Sequence, residues 1–250
     1  MRMRKRNNLE PRMDRCRQLM AEEPEKLKGR WLHSFGEYNG LYLELGCGKG
    51  RFTVDTAASE PDRLLVALEK VRDVMVIAME RARDRELKNL RFIDGDAAGL
   101  AYYFEPGEAE RIYINFCDPW PKSRDAKLRL TAPGFLRLYC DLLPLGGQIH
   151  FKTDNRPLFD WSVKQLEDEG WQLSEITNDL HANGEPGGAM TDYELRFMES
   201  GVRINRLVAT RTEATKGTAA GIPPRLRNAG LTDAIGYRVD TVVIGGEEQG

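Results

Sequence analysis

The chain has 250 residues, 41% of them hydrophobic, and its 37 basic and 39 acidic side chains leave a formal charge of −2. That is enough apolar material for one α/β domain with a packed core, and 24 Gly with 12 Pro are too few for a collagen-like or disordered chain. No run approaches the ~18 apolar residues of a membrane span, and Cys16, Cys47, Cys117 and Cys140 form no CxxC pair or Cys/His cluster, which excludes a disulfide scaffold and argues against a metal site.

The start, MRMRKRNN, is basic but leads into no apolar stretch, so no secretory leader is expected. Together with four scattered thiols this places the chain in a reducing cytoplasm. Residues 1–17 carry seven basic side chains (Arg2, Arg4, Lys5, Arg6, Arg12, Arg15, Arg17) against Glu10 and Asp14, a net of +5, so the rest of the chain sums to −7. Such an arm suits attraction to nucleic-acid phosphates, but taken alone it reads first as a solvated, frayed terminus.

Strand and helix then alternate. LYLELG (Leu41–Gly46) reads as a buried strand, followed by a glycine turn and a helix near Arg51–Ala58. Arg63–Glu69 is a second strand, with a helix from about Arg72 to Glu86, and Leu90–Asp94 a third. Arg111–Cys117 is the fourth strand and ends in a polar loop, Asp118–Thr131; Ala132–Leu143 is a helix stopped by Pro144, Gly146 and Gly147. Gly147–Thr153 is the fifth strand, Leu158–Glu169 a helix and Trp171–Thr177 the sixth strand. This alternation predicts an α/β fold, a mostly parallel sheet with helices on both faces. Ligands of such sheets sit beyond the carboxyl ends of the strands, where Glu44, Glu69, Asp96, Asp118 and Asp154 fall in succession. Residues 205–250, rich in Ala, Gly and Thr with Tyr237 as their one aromatic, are expected to bury little. Thr210–Gly236 reads as a linker or partly ordered extension and Tyr237–Ile244 as one further strand.

Two loops carry chemistry. ELGCGKG (Glu44–Gly50) sits between strand and helix, but Arg51 stands where a G-x-G-x-x-G fingerprint has its third glycine, so the dinucleotide pattern fails. Glu44 would repel a pyrophosphate and suits a cationic ligand bearing an ammonium and a sulfonium. Glu69 can accept both hydroxyls of a ribose, and Asp96 can meet an adenine edge. The alternative is three exposed loop acids beside a tight turn. NFCDPWPK (Asn115–Lys122) is stiffened by Pro119 and Pro121. An acid beside an aromatic plane is what an extruded purine needs, although a Trp plugging the sheet end and an Asp capping a turn would read the same way. Lys122, Arg124, Lys127 and Arg129 make a basic cluster in this loop. His150, within a strand, reads as a packed structural group, and Phe159 and Trp161 as core.

The runs MRMR at the start, ELGCGKGRF, the strand-end Glu69, FEPGEAERIYINFCDPWPK, RLTAPGFLRLY, IHFKTDNRPLF and TDYELRFMESGVRI follow one another over roughly residues 31–204. On these runs the chain resembles the tRNA (guanine-N7)-methyltransferases, the single-chain bacterial type of class I S-adenosylmethionine-dependent methyltransferase. DPWPK combined with KTDN and TDYE carries the specificity, since the glycine loop is shared with many relatives.

The resemblance implies a doubly wound, Rossmann-like sheet of seven strands with S-adenosyl-L-methionine as cofactor. It implies methyl transfer by in-line displacement to N7 of a guanosine in the tRNA variable loop. By the same resemblance Glu44, Gly46, Gly48, Glu69, Asp96 and Asp118 would line the cofactor site, with Asp118 catalytic. Lys122, Asp154, Thr191, Asp192, Tyr193 and Glu194 would contact substrate, and Arg124, Lys127 and Arg129 the RNA. The expected layout is a basic arm or helix over 1–30, the methyltransferase domain over 31–209 and an extension over 210–250. The expected partner is tRNA, with no membrane, metal or obligate protein partner, the chain acting as monomer or homodimer. Cys117 departs from the usual Ser, and Ser123, Asp125 and Leu128 replace basic or His positions, thinning the RNA-facing charge. An adenine-amine methyltransferase and a catalytically silent RNA-binding subunit are the alternatives; Arg51 and Glu44 disfavour a dehydrogenase.

Overall fold

Five short apolar runs become parallel strands because burial on both faces rewards uninterrupted aliphatic sequence. In the computed structural model, which describes residues 8–182 and 188–218, these are β1 (Gly40–Leu45), β2 (Arg63–Glu69), β3 (Leu90–Asp94), β4 (Arg111–Asn115) and β5 (Gln148–Thr153). With β6 (Gln172–Thr177) and β7 (Asn205–Thr210) they form one seven-stranded sheet in the order β3-β2-β1-β4-β5-β7-β6. Only β7 runs antiparallel to its neighbours. The helices are α1 (Leu9–Asp14), α2 (Trp31–Phe35), α3 (Arg51–Ser59), α4 (Arg72–Asp84), α5 (Leu100–Tyr103), α6 (Pro133–Leu142), α7 (Arg156–Asp168) and α8 (Asp192–Glu199).

The two-residue period of β1 divides the core. Leu41, Leu43 and Leu45 join Trp31, Phe135, Phe151 and Trp171 on one face, under α2, α6 and α7. Tyr42 faces the other way with Phe52, Met75, Met79, Phe92 and Tyr113, under α1, α3 and α4. Strand order reverses between β1 and β4, so a crevice opens there at the carboxyl ends, as the alternation predicts.

Three expectations need correcting. The segment after residue 205 is not poor in burial at its start: Leu207, Val208 and Ala209 are buried in β7, inserted between β5 and β6. Three small apolar residues among polar ones give little local signal, and the flanking strands supply their burial. Of the two readings of Thr210–Gly236, residues 211–218 fit the partly ordered extension and not the linker, since they lie against the domain: Lys216 N–H donates to the Glu169 carbonyl at 2.9 Å, and the Thr218 hydroxyl to Asp141. Nor is the amino-terminal segment frayed once it reaches residue 9. Met13, Cys16 and Leu19 are buried, and Arg12 makes a two-pronged pair with Glu80 of α4 at 2.8 and 2.5 Å. Arg2, Arg4, Lys5 and Arg6, and the expected strand Tyr237–Ile244, lie outside the described residues.

Candidate functional site

The glycine turn follows β1 directly. Gly46, Gly48 and Gly50 all have positive φ (81°, 56° and 75°), which side chains resist. Gly50 is doubly required, since a Cβ there would lie 2.3 Å from the Cβ of Ala78. Glu69, at the end of β2, holds the turn: its two oxygens accept from Gly48 N–H at 3.0 Å and Val71 N–H at 2.9 Å. Asp96 caps the short turn Ala97–Gly99 by accepting from Ala98 N–H at 3.0 Å.

A cavity of about 750 Å³ occupies the crevice, its wall including Gly46, Gly48, Glu69, Asp96, Asp118, Lys127 and Tyr193. Glu44 is not on that wall. Although it stands in β1 beside the turn, its carboxylate is buried, accepting from the Thr53 hydroxyl at 2.6 Å and, more weakly, from the Asn115 amide at 3.5 Å. Burial pushes its carboxyl up to about 7, with the Thr53 and Asn115 hydrogen bonds opposing. The reading of three exposed loop acids therefore fails at Glu44.

The loop after β4 is stiffer than its prolines alone require. Phe116 and Trp120, neither of them glycine, have φ of 52° and 42°, conformations that cost about 1–3 kcal/mol each unless the surroundings enforce them. Phe116 N–H donates to the Lys152 carbonyl at 2.9 Å. At the other end Arg129 donates to the carbonyls of Pro119 and Trp120, each at 3.0 Å. Between these anchors Asp118 is exposed to the cavity, with no hydrogen bond or ion pair among the described residues. Burial, reinforced by the charge of Asp118, pushes the neighbouring Cys117 thiol up to about 12, so it is neutral and a poor nucleophile.

The TDYE run forms the first turn of α8, and its four side chains divide. Thr191 and Glu194 close a capping box: the Thr191 hydroxyl accepts from Glu194 N–H at 2.9 Å, and Glu194 accepts from Thr191 N–H at 3.2 Å. Glu194 is completely buried and also takes Lys152 Nζ at 3.2 Å and His181 Nε2 at 3.0 Å. Burial holds the Lys152 ammonium below its usual range, opposed by Glu194. Asp192 pairs with Arg81, whose guanidinium also reaches the Lys49 carbonyl in the glycine turn at 3.0 Å. Tyr193 alone opens onto the cavity, 60% exposed and stacked on Phe116 with centroids 6.4 Å apart.

Lys122, Arg124 and Asp154 are exposed and off the cavity wall, Arg124 lying 3.7 Å from Asp125. Arg129 is half-buried and off that wall, with Nε and Nη2 both donating to loop carbonyls. His150 sits in β5 against Tyr113, and burial pushes it down to about 3, so it is neutral at physiological pH. Tyr103, Lys70 and Phe116 line the cavity without having been singled out by sequence. The packing of α5 brings Tyr103 there and the left-handed turn brings Phe116, while Lys70 directly follows Glu69 at the end of β2.

Three carboxylates against two lysines, Lys70 and Lys127, leave the cavity lining net acidic and favour a cationic ligand over a pyrophosphate. The donor expected from the resemblance fits this cavity. A Cβ on Gly46 or Gly48 would meet nothing within 4 Å, so the turn leaves open space where a ligand backbone can approach.

Comparison with known proteins agrees. A family model described as "Putative methyltransferase" matches residues 39–207. A tRNA (guanine-N(7)-)-methyltransferase of Streptococcus suis is 39% identical over 84% of this chain and 99% of its own length. One of Lachnoclostridium phytofermentans is 43% identical over 77% and 90%. Among solved structures, the 16S rRNA methyltransferase KamB superposes with a TM-score of 0.54 at 19% identity, covering 73% of this chain and 91% of that one, a likeness of fold.

Proposed function

The chain belongs to the tRNA (guanine-N(7)-)-methyltransferase family, and we propose that it methylates N7 of a guanosine in the tRNA variable loop. S-adenosyl-L-methionine is the cofactor and supplies, when bound, an electrophilic sulfonium methyl open to in-line displacement. Glu69 and Asp96 are the residues to hold its adenosine portion over the open glycine turn of Gly46 and Gly48. Glu44 acts from behind the wall, as a fixed carboxyl bracing Thr53 and Asn115.

The observation that carries this reading is Asp118, a carboxylate without a partner among the described residues, held between two left-handed residues on the wall that also bears the glycine turn. N7 of guanine presents an in-plane lone pair, so no residue has to remove a proton before attack. Positioning and charge then remain as the protein's contribution. Methylation leaves positive charge on the purine, which Asp118 stabilises from a site already built for it. Trp120 offers a face for the base, and Tyr193, stacked on Phe116, adds a second aromatic to the cavity lining. Exposed Lys122, Arg124 and Lys127 stand in the loop that follows Asp118 and Trp120 and suit the phosphates of a folded RNA.

No helix among the described residues is long and apolar enough to cross a membrane. The proposed setting is the cytoplasm, where tRNA is the partner and the chain acts as monomer or homodimer without metal. Incubation with labelled methyl donor and unmodified tRNA, followed by nucleoside analysis, tests the assignment. N7-methylguanosine is the expected product. An N-methylated adenosine would identify an amine methyltransferase instead, and no product a silent binding subunit. Asp118→Ala is expected to lower kcat by about 10²-fold with donor affinity changed less than threefold; undiminished turnover refutes the role of Asp118.

A further inference from the structure

Arg129 stands in a basic cluster, yet its guanidinium is directed into the protein. Nε donates to the Pro119 carbonyl and Nη2 to the Trp120 carbonyl, both at 3.0 Å. Its face lies over the indole of Trp161 on α7, 4.4 Å from the ring centroid. Two successive carbonyls converge on one donor fork because Trp120 is left-handed, with φ of 42°; extended chain would turn them apart. A planar fork with one edge on a bent peptide and one face on an aromatic is a geometry that Lys cannot reproduce. Removing it leaves a strained non-glycine residue without its restraint, two residues after Asp118.

Resting on the methyltransferase reading above, we propose that Arg129 is a positioning residue rather than an RNA contact. It clamps the Pro119–Trp120 peptide, and so fixes Asp118 and the Trp120 ring on the cavity wall, with Trp161 as the surface the clamp rests on. The clamp also ties the loop after β4 to α7, the helix that follows β5.

The test uses the full chain and compares Arg129→Met, Arg129→Lys and Arg129→Ala with Lys127→Ala, which removes an exposed cation. For Arg129→Met, kcat is expected to fall on the order of 10²-fold with KM for tRNA within threefold. The slope of log affinity for tRNA against log salt is expected to match the unsubstituted protein. Arg129→Lys recovers less than a tenth of the lost turnover, and added guanidinium ion raises the turnover of Arg129→Ala severalfold.

A second readout needs no activity. In protein labelled with 5-fluorotryptophan, the Trp120 resonance, assigned with Trp120→Phe, is expected to broaden or split in Arg129→Met while Trp31 and Trp171 stay sharp. An unaltered Trp120 resonance overturns the proposal. So does a salt slope lowered by about 0.7–0.9 with kcat retained, the mark of one lost phosphate contact. If the unsubstituted protein yields no N7-methylguanosine, the functional reading fails, and the fluorine spectrum still decides whether the clamp exists.

Discussion

Replacing Glu44 by Gln tests whether the acid behind the cavity wall is held neutral by burial. Its carboxyl is 1% exposed and titrates near about 7 in the folded chain, against an ordinary value of 4.5. A raised folded value means that the native state binds the proton more tightly than the unfolded chain. The associated stability is complete below pH 4.5 and is lost as pH rises through about 7. Over that window stability falls by about 1.4 kcal/mol per pH unit, for a total of order 3 kcal/mol. Gln has the same shape, can still accept from Thr53, and presents its amide N–H₂ to Asn115, whose Oδ1 is buried without a partner. Asn115 needs only to turn its amide over to accept it. Urea unfolding of both proteins from about pH 4 to 8.5 isolates the effect, since the other titrating groups are common to both. Glu44→Gln is expected to match the parent near pH 4 and to exceed it by about 3 kcal/mol above pH 7, the gap opening between the two values. A gap that stays constant with pH refutes the reasoning.

Lys152→Met strips the buried Glu194 of its lysine partner and is expected to cost about 3–5 kcal/mol in chemical denaturation; adding Glu194→Gln should recover part of the loss. Gly50→Ala meets both a left-handed φ of 75° and a clash with Ala78, so a loss of at least ~2 kcal/mol in thermal unfolding is expected. Arg124→Ala and Lys127→Ala, both exposed, are each expected to reduce the salt slope of tRNA binding by about 0.7–0.9, measured by filter retention at several ionic strengths.

The parts of the site that could be read along the chain are those whose physics is local. Gly46, Gly48 and Gly50 announce a turn because left-handed backbone needs glycine, and Glu69, Asp96 and Asp118 announce a strand-end site because each follows a legible apolar run. Residue type alone could not separate the charges that face the cavity from those that hold it together. Within one four-residue run, Tyr193 opens onto the cavity while Asp192 meets Arg81, 111 positions away in sequence, and Glu194 meets Lys152, 42 away. Arg129 and Lys127 are both cations of one loop, yet one clamps the loop and the other is exposed.

The alternation of strand and helix, the glycine turn, the succession of acids and the proline-stiffened loop are all legible along the chain, since periodicity, left-handed backbone and a locked φ act over a few residues. Tertiary structure alone decided that β7 is buried, that Glu44 lies behind the cavity wall and that Asp118 has no partner among the described residues. Burial and charge pairing are properties of neighbours in space. Chain segments dozens of residues apart supply those neighbours only once the sheet has closed around them.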